Sequence, residues 1–411
     1  MAIVQSEAEE IVTQLLTAPP DDPYPLYARL RTIAPIHRAS VGDFWTLSRY
    51  EDLRLALKDK RFVRDYDDFR RRNSLGPVDY ERPFIRLQRK WFVFSNPPAY
   101  GRKRALYNTA FNRPFVDGIR PRIAAYAAEL LDAAEKRGEL EVIHHLGYRL
   151  TVRLVCSVMG LPVPEDLEGF IPLMQRIAPT FSPLVTDEQL LAADEAALEL
   201  ERFMASLIEE LRRHPGDNLI SRMIVAAGEG ERLTEDELTA NAVLVFNASV
   251  GTTAGFIGNA VLSLMRNRDQ WEQFKTDPEG LGENAVEELL RYDSPIVSDL
   301  PLHLAAEDVE IGGITIRAGE GFIPFIGAGN RDPARYENPD RLDLRRQDVR
   351  PLSFGGGIHI CLGQYLARVE AQVALALLAR RFPNMELIDT NPVWRSFATF
   401  RAPRELHVSL S

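Results

Sequence analysis

The chain has 411 residues, 45% hydrophobic and 26% charged, with 49 Lys and Arg against 59 Asp and Glu and a net charge of −10. A chain this long buries roughly three quarters of its unfolded surface and folds without disulfide or metal staples; its length implies two lobes or one large domain. An isoelectric point near 5.4 argues against nucleic-acid binding. Two cysteines, Cys156 and Cys361, supply neither a disulfide framework nor a zinc or iron–sulfur site, and they point to a reducing, cytoplasmic compartment. No apolar run approaches the ~18 residues of a membrane span, and the acidic N-terminus lacks the basic and apolar regions of a secretory signal. These features leave a large enzyme.

Taken in chain order, the first strand signal is the β-branched and aromatic alternation at 44–47. Residues 61–104 carry twelve Lys or Arg against five Asp or Glu, about +7 in an acidic chain. Within them, Arg70-Arg71-Arg72 sits where periodicity is weak, which predicts a loop, either solvated or forming a surface for an anionic partner. Residues 123–137 repeat Ala, Leu and Tyr at three- and four-residue spacing, as an amphipathic helix does. Cys156 lies in the apolar run 151–159 and reads as a packing thiol. Residues 188–213 form a longer helix, stopped by His214-Pro215-Gly216.

Thr234-Glu235-Asp236-Glu237 is a capping box. The segment after it, 238–265, is apolar nearly all round, so the helix 234–265 belongs in the middle of the molecule. A hairpin at 309–316 turns on Gly312-Gly313, and 322–326 and 406–410 are further short strands. Residues 369–381 are a core helix ended by Phe382-Pro383. The fold class is mainly α, one domain with a small β-rich region.

The segment Phe354-Gly355-Gly356-Gly357-Ile358-His359-Ile360-Cys361-Leu362-Gly363 carries the most chemistry. Its glycines let backbone come close to a bulky partner. Cys361 stands just before an apolar helix, whose N-terminal dipole and free N–H groups stabilise a thiolate. Such a thiolate is a good axial ligand for haem iron and favours O–O cleavage. A buried structural cysteine and a catalytic thiol are the other readings. A dinucleotide-binding fingerprint fails, because Ile360 stands where a third glycine is needed.

Residues 354–368 resemble the haem-binding signature of the cytochrome P450 family. In order and spacing, Glu288-Leu289-Leu290-Arg291 is similar to the family's E-x-x-R. Ala328-Gly329-Asn330-Arg331-Asp332-Pro333 and Asn338-Pro339-Asp340-Arg341 resemble the segment before the haem loop. Asp22-Pro23-Tyr24-Pro25 resembles the helix that opens the family fold, and Asn96-Pro97-Pro98 to Arg104 the helix that reaches a haem propionate. The similarity covers residues ~20 to 411 and implies a single P450 domain over 1–411. Residues 1–20 would then be an N-terminal extension and 62–95 a variable loop over the haem.

The resemblance implies haem b, iron protoporphyrin IX, with Cys361 as axial thiolate and Phe354, Gly355 and Gly363 cradling it. Arg104 and His359 would contact the propionates, while Glu288, Arg291 and Arg341 would form a buried network beneath the haem. Tyr100 stands where the family usually has His, and His303 where it usually has Arg; both keep a donor and lose or weaken a charge. Thr252 matches the family's helix threonine, but Gly251 replaces the acid expected before it, and a helical glycine costs about 1 kcal/mol and can loosen the helix into a bulge.

Asn247, one turn earlier, could hold a relay water, the substrate could supply a polar group, or the reaction could need less proton delivery. Asp299, four residues before His303, is a surface turn acid, a proton donor or a partner for a cationic substrate group. Val245, Ala248, Ile296, Val297 and Phe400 would line the pocket. The implied activity is a haem-thiolate monooxygenase inserting one oxygen atom of O2 into a small or medium organic substrate, possibly carrier-tethered, in bacterial secondary metabolism or catabolism. Electrons would come from a ferredoxin and its reductase, with Arg102, Lys103 and Arg104 available for docking; the chain would be a monomer without a membrane or nucleic-acid partner. The alternative is the same fold running oxidative coupling, decarboxylation or peroxide-driven oxidation, because of Gly251; a non-enzymatic haem carrier is a third reading.

Overall fold

A computed structural model describes residues 2–410 apart from 75–76, 183, 229–232 and 300–301, so part of the predicted variable loop 62–95 lies outside the described residues. The molecule is organised around the helix Glu235–Arg266. Its start is the predicted capping box: Thr234 accepts from the Glu237 N–H at 3.2 Å, and the Glu237 carboxylate accepts from the Thr234 N–H at 2.9 Å. Among the described residues this is the one helix long and apolar enough to cross a membrane, yet 72% of its apolar window is buried inside the protein. Its hydrophobicity is therefore used by the core. Helices Asp187–Arg213, Arg149–Met159 and Gln364–Arg381 pack around it, as does the strand Phe400–Pro403.

One neighbour comes unusually close. The π-helical turn Val142–Tyr148 is anchored by Glu141, whose carboxylate accepts from the Ile143 N–H at 3.0 Å and the Leu406 N–H at 2.8 Å. A Cβ on Gly147 would lie 3.0 Å from Ala254 Cα, so only glycine lets this turn meet the central helix at backbone distance. The central helix is continuous through Gly251. The expected bulge there is absent.

The β region is a five-stranded sheet in the order Ile36–Ala39, Phe44–Leu47, Gly321–Pro324, His303–Ala305, Phe62–Val63, with three smaller sheets. Phe62 pairs with Ala305 and Val63 with Leu304, a register that carries the next residue, Arg64, to His303. The Val309–Ile311 and Ile314–Ile316 hairpin turns on Gly312 and Gly313, both at positive φ, as predicted.

The arginine run 70–72 is helical and not a loop. It lies in Tyr66–Asn73, opened by Asp65, whose side chain accepts from the Asp68 N–H. Arg70 is fully buried, over the Phe69 ring at 4.9 Å and bonded to Gln88 Oε1 at 2.8 Å. The basic stretch is also largely neutralised. Arg72 pairs with Asp68, Arg82 with Asp194, Arg89 with Asp67, Lys90 with Asp236 and Lys103 with Glu237. Local sequence charge overstates the field here because acids from two distant helices fold over it.

Candidate active site

The Cys361 loop is held from below by buried charge. Glu288 and Arg291 are fully buried and doubly bonded, at 2.6 and 2.7 Å, as their i,i+3 spacing on Gly282–Tyr292 allows. Arg291 also donates to the carbonyls of Asn330, Pro339 and Arg341. The third charged member is Arg346, whose Nε lies 3.1 Å from Glu288 Oε1. This corrects the expectation for Arg341, whose side chain is exposed and which contributes only its backbone carbonyl. With its hydrogen bonds complete, such a network tolerates burial; incomplete, it would not.

From this base, Asn330 reaches the loop. Its Oδ1 accepts from the Leu352 N–H at 2.7 Å and its Nδ2 donates to Ser353 Oγ at 3.0 Å. Gly355 and Gly357 take positive φ, and Cys361 N–H closes the loop on Phe354 O at 2.9 Å. Half-buried Phe354 lies under the Arg368 guanidinium at 4.3 Å. Space is open beside Gly355 and Gly363: a Cβ at either would meet nothing within 4 Å.

Cys361 is exposed to a solvent-sized contact. Surrounding protein nevertheless raises its thiol above the ordinary value, against the Gly363 N–H and the Arg104 and Arg368 charges, which lower it. A side chain both open and desolvated faces an internal cleft. The central helix shows the matching opening: residues 240–246 and 253–265 are buried, whereas Ala248 is exposed and Asn247, Gly251 and Thr252 are half-exposed. The helix that follows Cys361, Gln364–Arg381, packs on this central helix.

Beside the cleft the structure brings together Arg64, Tyr100, Arg104, Asp299, His303 and His359. Arg64 and His303 both bear on Asp299, at 3.6 and 3.3 Å. Arg104 donates to Tyr100 Oη at 2.7 Å, and Tyr100 donates to Ile358 O at 2.9 Å. The Tyr100 hydroxyl, which the resemblance put among the haem-binding groups in place of the family's His, is thereby spent on protein. Burial and the nearby Arg64 push His303 down to about 4. Burial, Arg64 and His303 push His359 down to about 3, and its buried Nε2 has no partner.

Burial alone would raise Asp299, but His303 and Arg64 outweigh it and hold the carboxyl below its ordinary value. Asp299 is therefore an ionised counter-charge and neither a surface turn acid nor a proton donor. The cluster sets the Arg64 and Arg104 guanidiniums and the unpartnered His359 Nε2 around a single carboxylate, Asp299. A ligand bearing two carboxylates beside an apolar disc fits it, as haem does, with Cys361 in the adjoining cleft.

The sequence reading missed Arg64, although it lay inside the basic stretch; its part depends on strand pairing, which composition does not show. The pocket-wall set is divided. Ala248 opens to the cleft and Ile296 is half-buried, while Val245, Val297 and Phe400 are buried. Phe400 packs on the central helix, where a Cβ at Gly255 would meet its ring at 2.9 Å. Cys156 is buried, as expected of a packing thiol.

Thr252 Oγ1 donates to Ala248 O at 2.9 Å, which leaves its lone pairs toward the cleft free to accept. Asn247 Nδ2 is buried without a partner.

The family model for cytochrome P450 matches residues 281–404. A biotin biosynthesis cytochrome P450 of Bacillus subtilis is 33% identical over 390 residues, covering 94% of this chain and 96% of that protein. The 6-deoxyerythronolide B hydroxylase of Saccharopolyspora erythraea is 34% identical, covering 95% and 96%. Among solved structures, a cytochrome P450 in complex with an acyl carrier protein ligated to hexadec-9Z-enoic acid superposes with a TM-score of 0.86 at 32% identity, covering 95% and 99%. A myxobacterial cytochrome P450 in complex with myristic acid does so with a TM-score of 0.87 at 32% identity, covering 97% and 99%. Identity at this level over nearly the whole of both chains, joined to the Cys361 loop and its Glu288–Arg291 base, makes the chain a member of the cytochrome P450 family and an oxidoreductase of the monooxygenase type.

Proposed function

We propose that Cys361 is the axial thiolate of a haem b whose propionates are held by Arg64, Arg104, His303 and His359. The observation that carries this reading is the convergence of those four side chains, with the orphaned His359 Nε2, beside an open cysteine. Held through a thiolate, haem supplies O–O cleavage; the chain's own residues do the rest. Phe354, Gly355 and Gly363 shape the proximal face, and the buried Glu288–Arg291–Arg346 network keeps that face rigid. On the opposite side Thr252 Oγ1 and Asn247 Nδ2 offer an acceptor and a donor for a water in the cleft. Ala248 and Ile296 present the apolar wall.

The substrate is a small or medium organic molecule, free or tethered to a carrier protein. Support comes from relatives named hydroxylase and N-oxygenase and from structural neighbours bound to myristic acid or to an acyl carrier protein. The names hydroxylase and N-oxygenase also favour ordinary monooxygenation over the coupling and peroxide-driven readings. A ferredoxin and its reductase would supply electrons to a cytoplasmic monomer; of the three basic docking residues, Arg102 is exposed while Lys103 and Arg104 are engaged within the protein.

The reduced CO complex of the haem-loaded protein is expected to show the Soret shift of thiolate ligation, and Cys361→Ala is expected to abolish it. A spectrum typical of histidine ligation, or a shift retained in Cys361→Ala, overturns the proposal.

A further inference from the structure

Gly251 removes a side chain from the middle of the central helix, and the structure shows what stands beside the vacancy. A Cβ at Gly251 would have one neighbour within 4 Å, the Tyr148 hydroxyl at 3.9 Å. Tyr148 ends the π-helical turn that Gly147 allows against the central helix, and its side chain is buried. Its Oη accepts from Arg395 Nη1 at 2.9 Å and from Gln175 Nε2 at 3.3 Å. Both contacts are donors, so the phenolic hydrogen itself has no acceptor among the described residues. Arg395, on the strand Trp394–Phe397, has no carboxylate partner among the described residues. Three chain segments far apart in sequence thus deliver a phenol, a guanidinium and an amide to the one point where the central helix lacks an acid.

We propose that Tyr148, held by Arg395 and Gln175, is the proton-relay residue of this active site in place of an acid at position 251. The inference rests on the haem-thiolate reading above. The proton leaves Tyr148 Oη for a water in the cleft beside Asn247 and Thr252. The phenolate left behind is neutralised by the positive Arg395 guanidinium that donates to the same oxygen. Bulk water reaching the half-buried Gln175 and Arg395 returns a proton to Oη. One proton passes from solvent to the cleft, and Tyr148 is neither oxidised nor reduced. Acting through water, Tyr148 is a positioning and relay group; Thr252 remains the side chain that faces the cleft.

Two measurements test this. In turnover with ferredoxin, reductase and NADH, Tyr148→Phe should lower product formed per NADH by at least ~10-fold, with a matching rise in hydrogen peroxide. Adding Gly251→Asp to that variant should restore the ratio, because the new carboxylate would lie beside Arg395; a merely structural loss would not be repaired this way. The second readout needs no turnover: thermal denaturation of Gly251→Asp with Arg395 present and with Arg395→Gln. Gly251→Asp should raise Tm with Arg395 and lower it without.

An unchanged product-to-NADH ratio in Tyr148→Phe overturns the relay. Equal Tm shifts in the two Arg395 backgrounds overturn the placement. Failure of the parent protein to give a thiolate-type CO spectrum would instead overturn the underlying haem reading, while the Tm comparison would still judge the constellation.

Discussion

The two faces of the cleft are built on different plans. Below it, the Cys361 loop rests on a network whose members are saturated: Glu288 is bonded to Arg291, Arg346 and the Asp343 N–H, and Arg291 to three carbonyls. Above it, the central helix presents unspent polar groups, among them Asn247 Nδ2, the Thr252 lone pairs and the nearby Tyr148 hydroxyl. The contrast follows from physical need. A site that must not move is made from buried charges that each lose several kcal/mol if left unpaired, whereas a site that passes protons needs partners that can be exchanged.

The largest effect outside Cys361 should therefore come from breaking saturation. Glu288→Gln keeps the shape but leaves Arg291 and Arg346 without their anion. A loss of about 3–5 kcal/mol in denaturant unfolding is expected. A loss under about 1 kcal/mol would mean that the network is dispensable and that the contrast between the two faces is false.

One residue on the lower side breaks its own rule, and it sharpens the comparison. Glu370, on Gln364–Arg381, is buried with an unpartnered Oε2, and burial pushes its carboxyl up to about 8, so the folded chain holds it neutral. Between the unfolded value near 4.5 and about 8, the folded state binds the extra proton, and stability falls as pH rises through that window. Glu370→Gln should remove the slope and stabilise the protein by on the order of 2–3 kcal/mol at neutral pH, with little gain below pH ~4.5. Urea unfolding at several pH values reads this directly. A gain independent of pH would show that packing and not ionisation is responsible.

What the sequence could disclose tracks how local each contact is. Glu288 meets Arg291 one helical turn away, a pair that the family resemblance and not the spacing alone marked as buried. Cys361 closes on Phe354 within one loop, so its glycine-rich setting was legible in the sequence. The capping box at Thr234 was legible for the same reason. Tyr148 and Arg395 were not, since they are 247 positions apart and meet only through the tertiary fold. The helix at Tyr66–Asn73 had a readable sign, Asp65 three residues before Asp68, but the charges of Arg70, Arg71 and Arg72 masked its apolar face.

Arg64 lies between these extremes. It is two-dimensional information, a strand register that sets it beside His303 and Asp299. Arg64→Gln should speed haem transfer to an apo-acceptor protein on the order of 10-fold, the scale of one charge-assisted hydrogen bond. An unchanged transfer rate would remove Arg64 from the propionate cluster and leave Arg104 and His359 to hold it.

The smallest predicted effect discriminates best between reading spacing and reading packing. Arg341 and Arg346 sit five residues apart in one irregular stretch, and nothing in their spacing says which turns inward. In the fold Arg341 is exposed, while Arg346 reaches Glu288 and donates to the carbonyls of Glu337, Asn338 and Arg341. Arg341→Ala should change unfolding free energy by under ~0.5 kcal/mol, as exposed substitutions do. Arg346→Ala removes a charged partner from a fully buried carboxylate and should cost about 2 kcal/mol. If the two costs were reversed, Arg341 would be the network's third charge after all. Glu288 would then be held from the side that the sequence motif suggests, and the saturation described for the lower face would belong to a different set of atoms.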